Sequence, residues 1–222
     1  MKLFKSNLIT LIFLLLGTLM ANAQDPNRFK EQVDELANKQ YNFSNDKPLV
    51  VFTGSSSIRM WKDVQSYFPE YEIINNGFGG SQFSDLLYFY NEMILQRKPG
   101  ILFIYEGDND LNDNKKPVKI LKEAKQLTEK IQQDLPETRI VFISPKPSIA
   151  RVKLKNKYIT FNNKLERYCN RTKNAEFANV WTPMLDAQGN VFKDIFIEDG
   201  LHMNKKGYDI WGNVIGGFLE SE

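Results

Sequence analysis

The stretch KPLVVFTGSSSIRMW, residues 47–61, decides how the rest of the chain is read. Its apolar part, residues 49–53 (LVVFT), is short and rich in β-branched and aromatic side chains, the mark of a strand buried on both faces. Gly54 and three serines interrupt it, and residues 57–66 read as a helix. The same alternation repeats outward along the chain. Strands are expected at residues 72–75 (EIIN), 101–105 (ILFIY), 139–143 (RIVFI) and 177–181, and helices at 27–40, 82–97, 117–134, 153–171 and 205–219. Short apolar strands separated by long helices imply βαβ crossovers and a parallel sheet covered on both faces. The expected class is α/β, a three-layer α/β/α sandwich in one domain, since no repeat, low-complexity block or Pro/Gly linker divides the chain. Residues 182–198 break the rhythm with a long loop, of the kind often attached to a functional site.

The first residues belong to a different argument. Lys2 and Lys5 precede an apolar run over residues 8–20 and the A-x-A pattern Ala21-Asn22-Ala23. That is the pattern of a secretory signal peptide over residues 1–23, with a mature domain over 24–222 exported to periplasm or medium. The apolar run is shorter than the roughly 20 residues a membrane span needs. No cysteine near the cleavage site offers a lipid anchor, and no later run has spanning length, so no membrane span is expected after cleavage.

Without Lys2 and Lys5, the 29 basic residues fall to 27, against 27 acidic ones. A chain with no basic excess and no basic stripe is not expected to bind nucleic acid. Cys169 is the only cysteine, which excludes an intrachain disulfide, and one cysteine with one histidine cannot build a Cys/His zinc site. A carboxylate-only calcium site stays open, although no EF-hand loop is present. The segment NNGFGGS, residues 75–81, falls short of a dinucleotide fingerprint because Gln82 stands where the third glycine belongs. There is no GxxxxGK[ST] phosphate loop and no G-x-S-x-G elbow. No cofactor is expected.

Ligand sites in open parallel sheets form beyond the carboxyl ends of the strands. There the sequence places Gly54, Ser55, Ser56 and Ser57 after the first strand, Gly77 to Ser81 after the second, and Gly107, Asp108, Asn109 and Asp110 after the third. Asp199, Gly200, Leu201 and His202 precede the last helix. His202 is the only histidine, and Asp199, three residues earlier, can hold one ring nitrogen while the other meets a hydroxyl. Read alone, it is also simply a surface histidine beside a D-G turn. The serines likewise read as a helix cap. A hydroxyl at a helix start faces the positive end of the dipole and free N–H groups, so cap and nucleophile share one geometry. Gly80 can bring a backbone N–H to an oxyanion and Asn109 a side-chain amide; tight turns are the plainer reading of both.

In order, GSSSIRMW, NNGFGGS, EGDNDL, KPSIAR and DGLHMNKKGY resemble the motifs of the SGNH (GDSL-type) hydrolases. The likeness is strongest to the branch of lysophospholipase-like and platelet-activating-factor acetylhydrolase-like esterases, and it spans residues 48–219. It implies a flavodoxin-like fold with a five-stranded parallel sheet. It implies Ser56 as nucleophile, His202 as general base and then acid, and Asp199 as the carboxylate orienting it. The oxyanion hole implied is the Ser56 and Gly80 N–H groups with the Asn109 side chain. Ser55 departs from the aspartate many members carry there. The activity implied is hydrolysis of a carboxylic ester, with a short acyl group such as acetyl, on a carbohydrate or lipid alcohol, without metal or cofactor. Trp61, Phe78, Trp181 and Arg151 are candidates to line an alcohol pocket, or to be packing and a helix-end charge. The alternative from another class is a catalytically silent carbohydrate-binding protein on the same fold.

Overall fold

Five strands with apolar side chains on both faces form the centre of the protein in a computed structural model that describes residues 25–44 and 46–220. The expected signal peptide, residues 1–23, lies outside the described residues. The strands are β1 (Leu49–Gly54), β2 (Glu72–Gly77), β3 (Ile101–Tyr105), β4 (Arg139–Ile143) and β5 (Ala175–Ala178). All pairings are parallel, in the order β2-β1-β3-β4-β5. The helices are α1 (Lys30–Asn38), α2 (Ser56–Arg59), α3 (Val64–Tyr67), α4 (Phe83–Tyr88), α5 (Tyr90–Met93), α6 (Asp108–Asn112), α7 (Pro117–Asp134), α8 (Lys155–Cys169) and α9 (Lys205–Leu219).

Alternation along each strand sorts the side chains into two cores. Val51, Leu102, Ile104, Ile140 and Phe142 pack with residues of α1, α4, α5, α7 and α8 on one face. Val50, Phe52, Phe103, Tyr105 and Val141 pack with residues of α2, α3 and α9 on the other. Each large side chain buried in this way contributes roughly 1.5–3 kcal/mol. The expected three-layer α/β/α sandwich is therefore the observed one. Among the described residues no helix is long and apolar enough to cross a membrane.

Topology positions the site. The chain leaves β1 toward the α2 face and leaves β3 toward the α7 face, and that divergence between adjacent strands opens a crevice at their carboxyl ends. Gly54, the last residue of β1, lies level with Gly77 of β2 and Tyr105 of β3. Its φ is +123°, and a Cβ there would lie 2.1 Å from the Tyr105 carbonyl oxygen. Only glycine lets the chain turn there, and the turn delivers the serines to the crevice.

Several elements differ from the sequence expectation. The helix expected over 57–66 is two short ones, α2 and α3, because Trp61 between them drops into the core against Tyr208, ring centroids 5.3 Å apart. The helix expected over 82–97 is α4, α5 and a 3₁₀ turn Leu95–Arg97, ended by Lys98 in the left-handed region. β5 starts and stops earlier than residues 177–181, because the Asn179 side chain accepts from the Thr182 N–H at 3.1 Å and turns the chain. The long loop is itself built: it holds a 3₁₀ turn Thr182–Met184 and the antiparallel bridges Leu185–Val191 and Phe196–Met203. Trp61 and Phe78 are fully buried in the two cores, which corrects their candidacy as pocket residues. Cys169 is core too, and burial pushes its thiol up to about 12.

Candidate active site

Three consecutive serines are separated by where the turn points them. Ser55 is the residue before α2, its side chain buried and its N–H donating to the Tyr105 carbonyl at 3.1 Å. Ser57 is buried as well, and its carbonyl accepts from the Tyr208 hydroxyl at 2.9 Å. Ser56, the first residue of α2, opens into the crevice, and its Oγ lies 2.9 Å from His202 Nε2.

His202 is fixed from both ends. Its Nδ1 lies 2.5 Å from Asp199 Oδ2, while Asp199 Oδ1 accepts from the backbone N–H groups of Leu201 at 2.8 Å and His202 at 2.9 Å. The turn is pinned by a bond from the Ile197 N–H to the His202 carbonyl at 2.9 Å, and Asn204 caps α9 directly after it. Burial raises the Asp199 pKa, but the His202 ring and these N–H groups outweigh it and bring it down to about 2. Asp199 is thus charged near neutral pH, and a charged carboxylate on Nδ1–H leaves Nε2 as acceptor for the Ser56 hydroxyl.

The donors gather opposite. Neither the Ser56 N–H nor the Gly80 N–H donates to another described residue, and Gly80 holds φ +84°. Asn109 Nδ2 gives one hydrogen to the Ser81 carbonyl at 2.9 Å, which leaves its second hydrogen for another acceptor. Its Oδ1 accepts from Arg151 Nη2 at 3.0 Å. Ser56, Gly80, Asn109, Arg151 and His202 line one cavity of about 390 Å³, with Gln32, Arg59, Gly79 and Leu201.

Beneath Asn109 lies a buried charge cluster that sequence reading missed. Asp108 Oδ1 meets Arg151 Nη1 at 2.5 Å and the Tyr158 hydroxyl, and Oδ2 meets the Tyr105 hydroxyl at 2.7 Å and Lys146 Nζ at 3.3 Å. Burial alone would raise the Asp108 pKa; Lys146, Arg151 and the two hydroxyls hold it well below the usual carboxylate range. Arg151 thus bridges Asp108 and Asn109 and orients the amide. The only trace in the sequence is an arginine after a strand-end loop, with no hint of partners 42 and 43 residues away. Glu106, also buried, accepts from the Ser81 hydroxyl at 2.5 Å through Oε1, while Oε2 has no hydrogen-bond partner. Burial first, and Asp110 next, push its pKa well up.

A five-stranded parallel sheet in this order, with these motifs at its carboxyl edge, is the architecture of the SGNH hydrolases. Residues 49–210 match the model of the GDSL-like lipase/acylhydrolase family, and the chain belongs to that family of carboxylic ester hydrolases. Among solved structures, a Streptococcus pneumonia protein provisionally described as a platelet activating factor superposes with a TM-score of 0.75 at 20% identity, over 95% of this chain and 99% of that one. A GDSL-like lipase from Bacteroides thetaiotaomicron gives 0.72 at 21% identity, over 88% and 98%. A catalytic mutant of an acetylxylan esterase from Geobacillus stearothermophilus gives 0.64 at 13% identity, over 79% and 95%. At such identities these likenesses establish the fold. No curated protein matches the sequence.

Proposed function

We propose that the protein is an exported serine esterase that removes a short acyl group, such as acetyl, from a carbohydrate or lipid alcohol. The observation that carries this reading is the hydrogen-bonded line Ser56 Oγ, His202, Asp199, at 2.9 Å and 2.5 Å. Ser56 Oγ attacks the ester carbonyl as His202 Nε2 takes its proton, and Asp199 stabilises the imidazolium. The oxyanion is received by the Ser56 and Gly80 N–H groups and Asn109 Nδ2. Collapse breaks the bond to the alcohol, which takes the proton from His202. Water, deprotonated by the same nitrogen, then releases the acid from Ser56.

The short acyl group is supported by the small cavity around Ser56, where Leu201 is the one apolar side chain in the lining. The fold shared with an acetylxylan esterase is consistent with it. Export rests on the residue pattern of residues 1–23. The test is hydrolysis of p-nitrophenyl acetate, butyrate, octanoate and laurate by wild type and Ser56→Ala. The acetate is expected to turn over fastest and the variant to lose hydrolysis of all four. A preference for laurate would overturn the short-acyl reading, and an undiminished variant would overturn the nucleophile.

A further inference from the structure

A second cavity, of about 600 Å³, lies next to the first and shares Arg151 with it. Ile149 and Val152, after β4, form one wall, and Trp181, Leu185 and Phe192, after β5, form the other. Ile149, Val152 and Phe192 are 39%, 57% and 38% exposed, three of the seven large hydrophobic side chains so exposed among the described residues. Apolar surface gathered in one concavity marks a binding surface. Hydrogen bonds within the loop shape this wall. Asp186 Oδ1 accepts from the N–H groups of Gln188 at 2.9 Å and Asn190 at 2.8 Å, and Lys155 Nζ donates to the Gly189 carbonyl at 2.8 Å.

Its position relative to the chemistry follows from the turn that carries Asp199 and His202. The Ala150 N–H donates to the Gly200 carbonyl at 3.0 Å, and a Cβ on Gly200 would lie 3.2 Å from the Ile149 Cβ. The histidine turn therefore backs directly on the wall of the second cavity. The remaining rim of the first cavity, Gln32, Arg59, Gly79 and Gly80, contributes nothing to the second. The alcohol expelled from the acyl carbon bound to Ser56 departs on the side of the histidine that protonates it.

We propose that the second cavity binds the alcohol half of the ester and that this half is a saccharide, an assignment that rests on Ser56 being the nucleophile. A pyranose presents apolar C–H faces and hydroxyl edges. Trp181 and Phe192 match the faces, and Asp186, Asn190 and Lys193 on the same lining match the edges. An alkyl chain laid there would strip water from those polar groups and return no hydrogen bond.

Fluorescence separates this proposal from the nucleophile assignment. Trp61 and Trp211 are fully buried, so Trp181 is the tryptophan a ligand in the cavity can touch. Titrating 6-O-acetylglucose, which keeps its other hydroxyls free, into the Ser56→Ala protein is expected to give a saturable emission change that Trp181→Phe abolishes and Phe192→Ala weakens by about ten-fold. In otherwise wild-type protein, Phe192→Ala is expected to lower kcat/KM for 6-O-acetylglucose by a similar factor and to leave ethyl acetate unchanged. Absence of a saturable change, or equal losses on both esters, overturns the proposal. A Phe192→Ala loss confined to acetylated lysophosphatidylcholine assigns the cavity to a lipid alcohol and overturns it as well. Hydrolysis retained by Ser56→Ala would strike the nucleophile assignment, while the binding titration still decides the cavity.

Discussion

Ser55, Ser56 and Ser57 are chemically identical, and position alone separates them: two are buried, and the third meets His202 Nε2 at 2.9 Å. Position also defines Asn109, whose amide is oriented by Arg151 on one side and by the Ser81 carbonyl on the other. Losing an oxyanion donor costs on the order of 100-fold or more in turnover, so Asn109→Ala is expected to lower kcat by that much in a folded protein. Arg151→Ala is expected to lower kcat as well, because the amide it orients is then free to turn. Asp108 keeps Lys146 and two tyrosine hydroxyls in that variant. The double variant decides the matter: if Arg151 acts through Asn109, the pair loses little more than Asn109→Ala alone. Additive losses would show that Arg151 acts by another route.

At the scale of elements, what the sequence made legible was burial. β3 and β4 occupy residues 101–105 and 139–143 as expected, because runs such as ILFI have no polar side chain to place outside. α7 likewise fills residues 117–134, opened by Pro117. Elements set by long-range packing were not legible. Trp61 breaks a helix because Tyr208 and Trp211 wait for it far along the chain, and α6 is written DNDLN, a sequence that reads as an Asx turn. The end of β3 carries a pH prediction. An unfolded glutamate titrates near about 4.3. Burial, then Asp110, raise Glu106 well above its ordinary value, so the folded chain keeps a proton the unfolded chain has released. Stability from this site is complete below about pH 4 and is lost as pH rises toward the raised value. Glu106→Gln keeps the shape and removes the titration. Urea unfolding should show the variant gaining on wild type as pH rises above about 4, and parallel profiles would contradict a raised Glu106 pKa.

Across the whole molecule, the sheet order brings together residues that lie far apart in sequence. Ser56 and His202 are separated by 146 positions, yet both stand at the carboxyl edge of the sheet beside the crevice between β1 and β3. That is why the candidate site could be read from the sequence: strand ends are recognisable, and a parallel sheet puts its strand ends on one edge. Of the second cavity, Trp181 and Arg151 were legible as pocket candidates, while its other walls and the Asp108 cluster were not, since they depend on how loops fold back across the edge. The central claim is that Ser56 is activated by His202. Its most direct test is labelling with a fluorophosphonate, followed by peptide mass mapping of wild type and His202→Ala. The account predicts one adduct per wild-type chain, on Ser56, and loss of labelling in His202→Ala. An adduct on Ser55 or Ser57, or labelling of Ser56 that does not depend on His202, would contradict it.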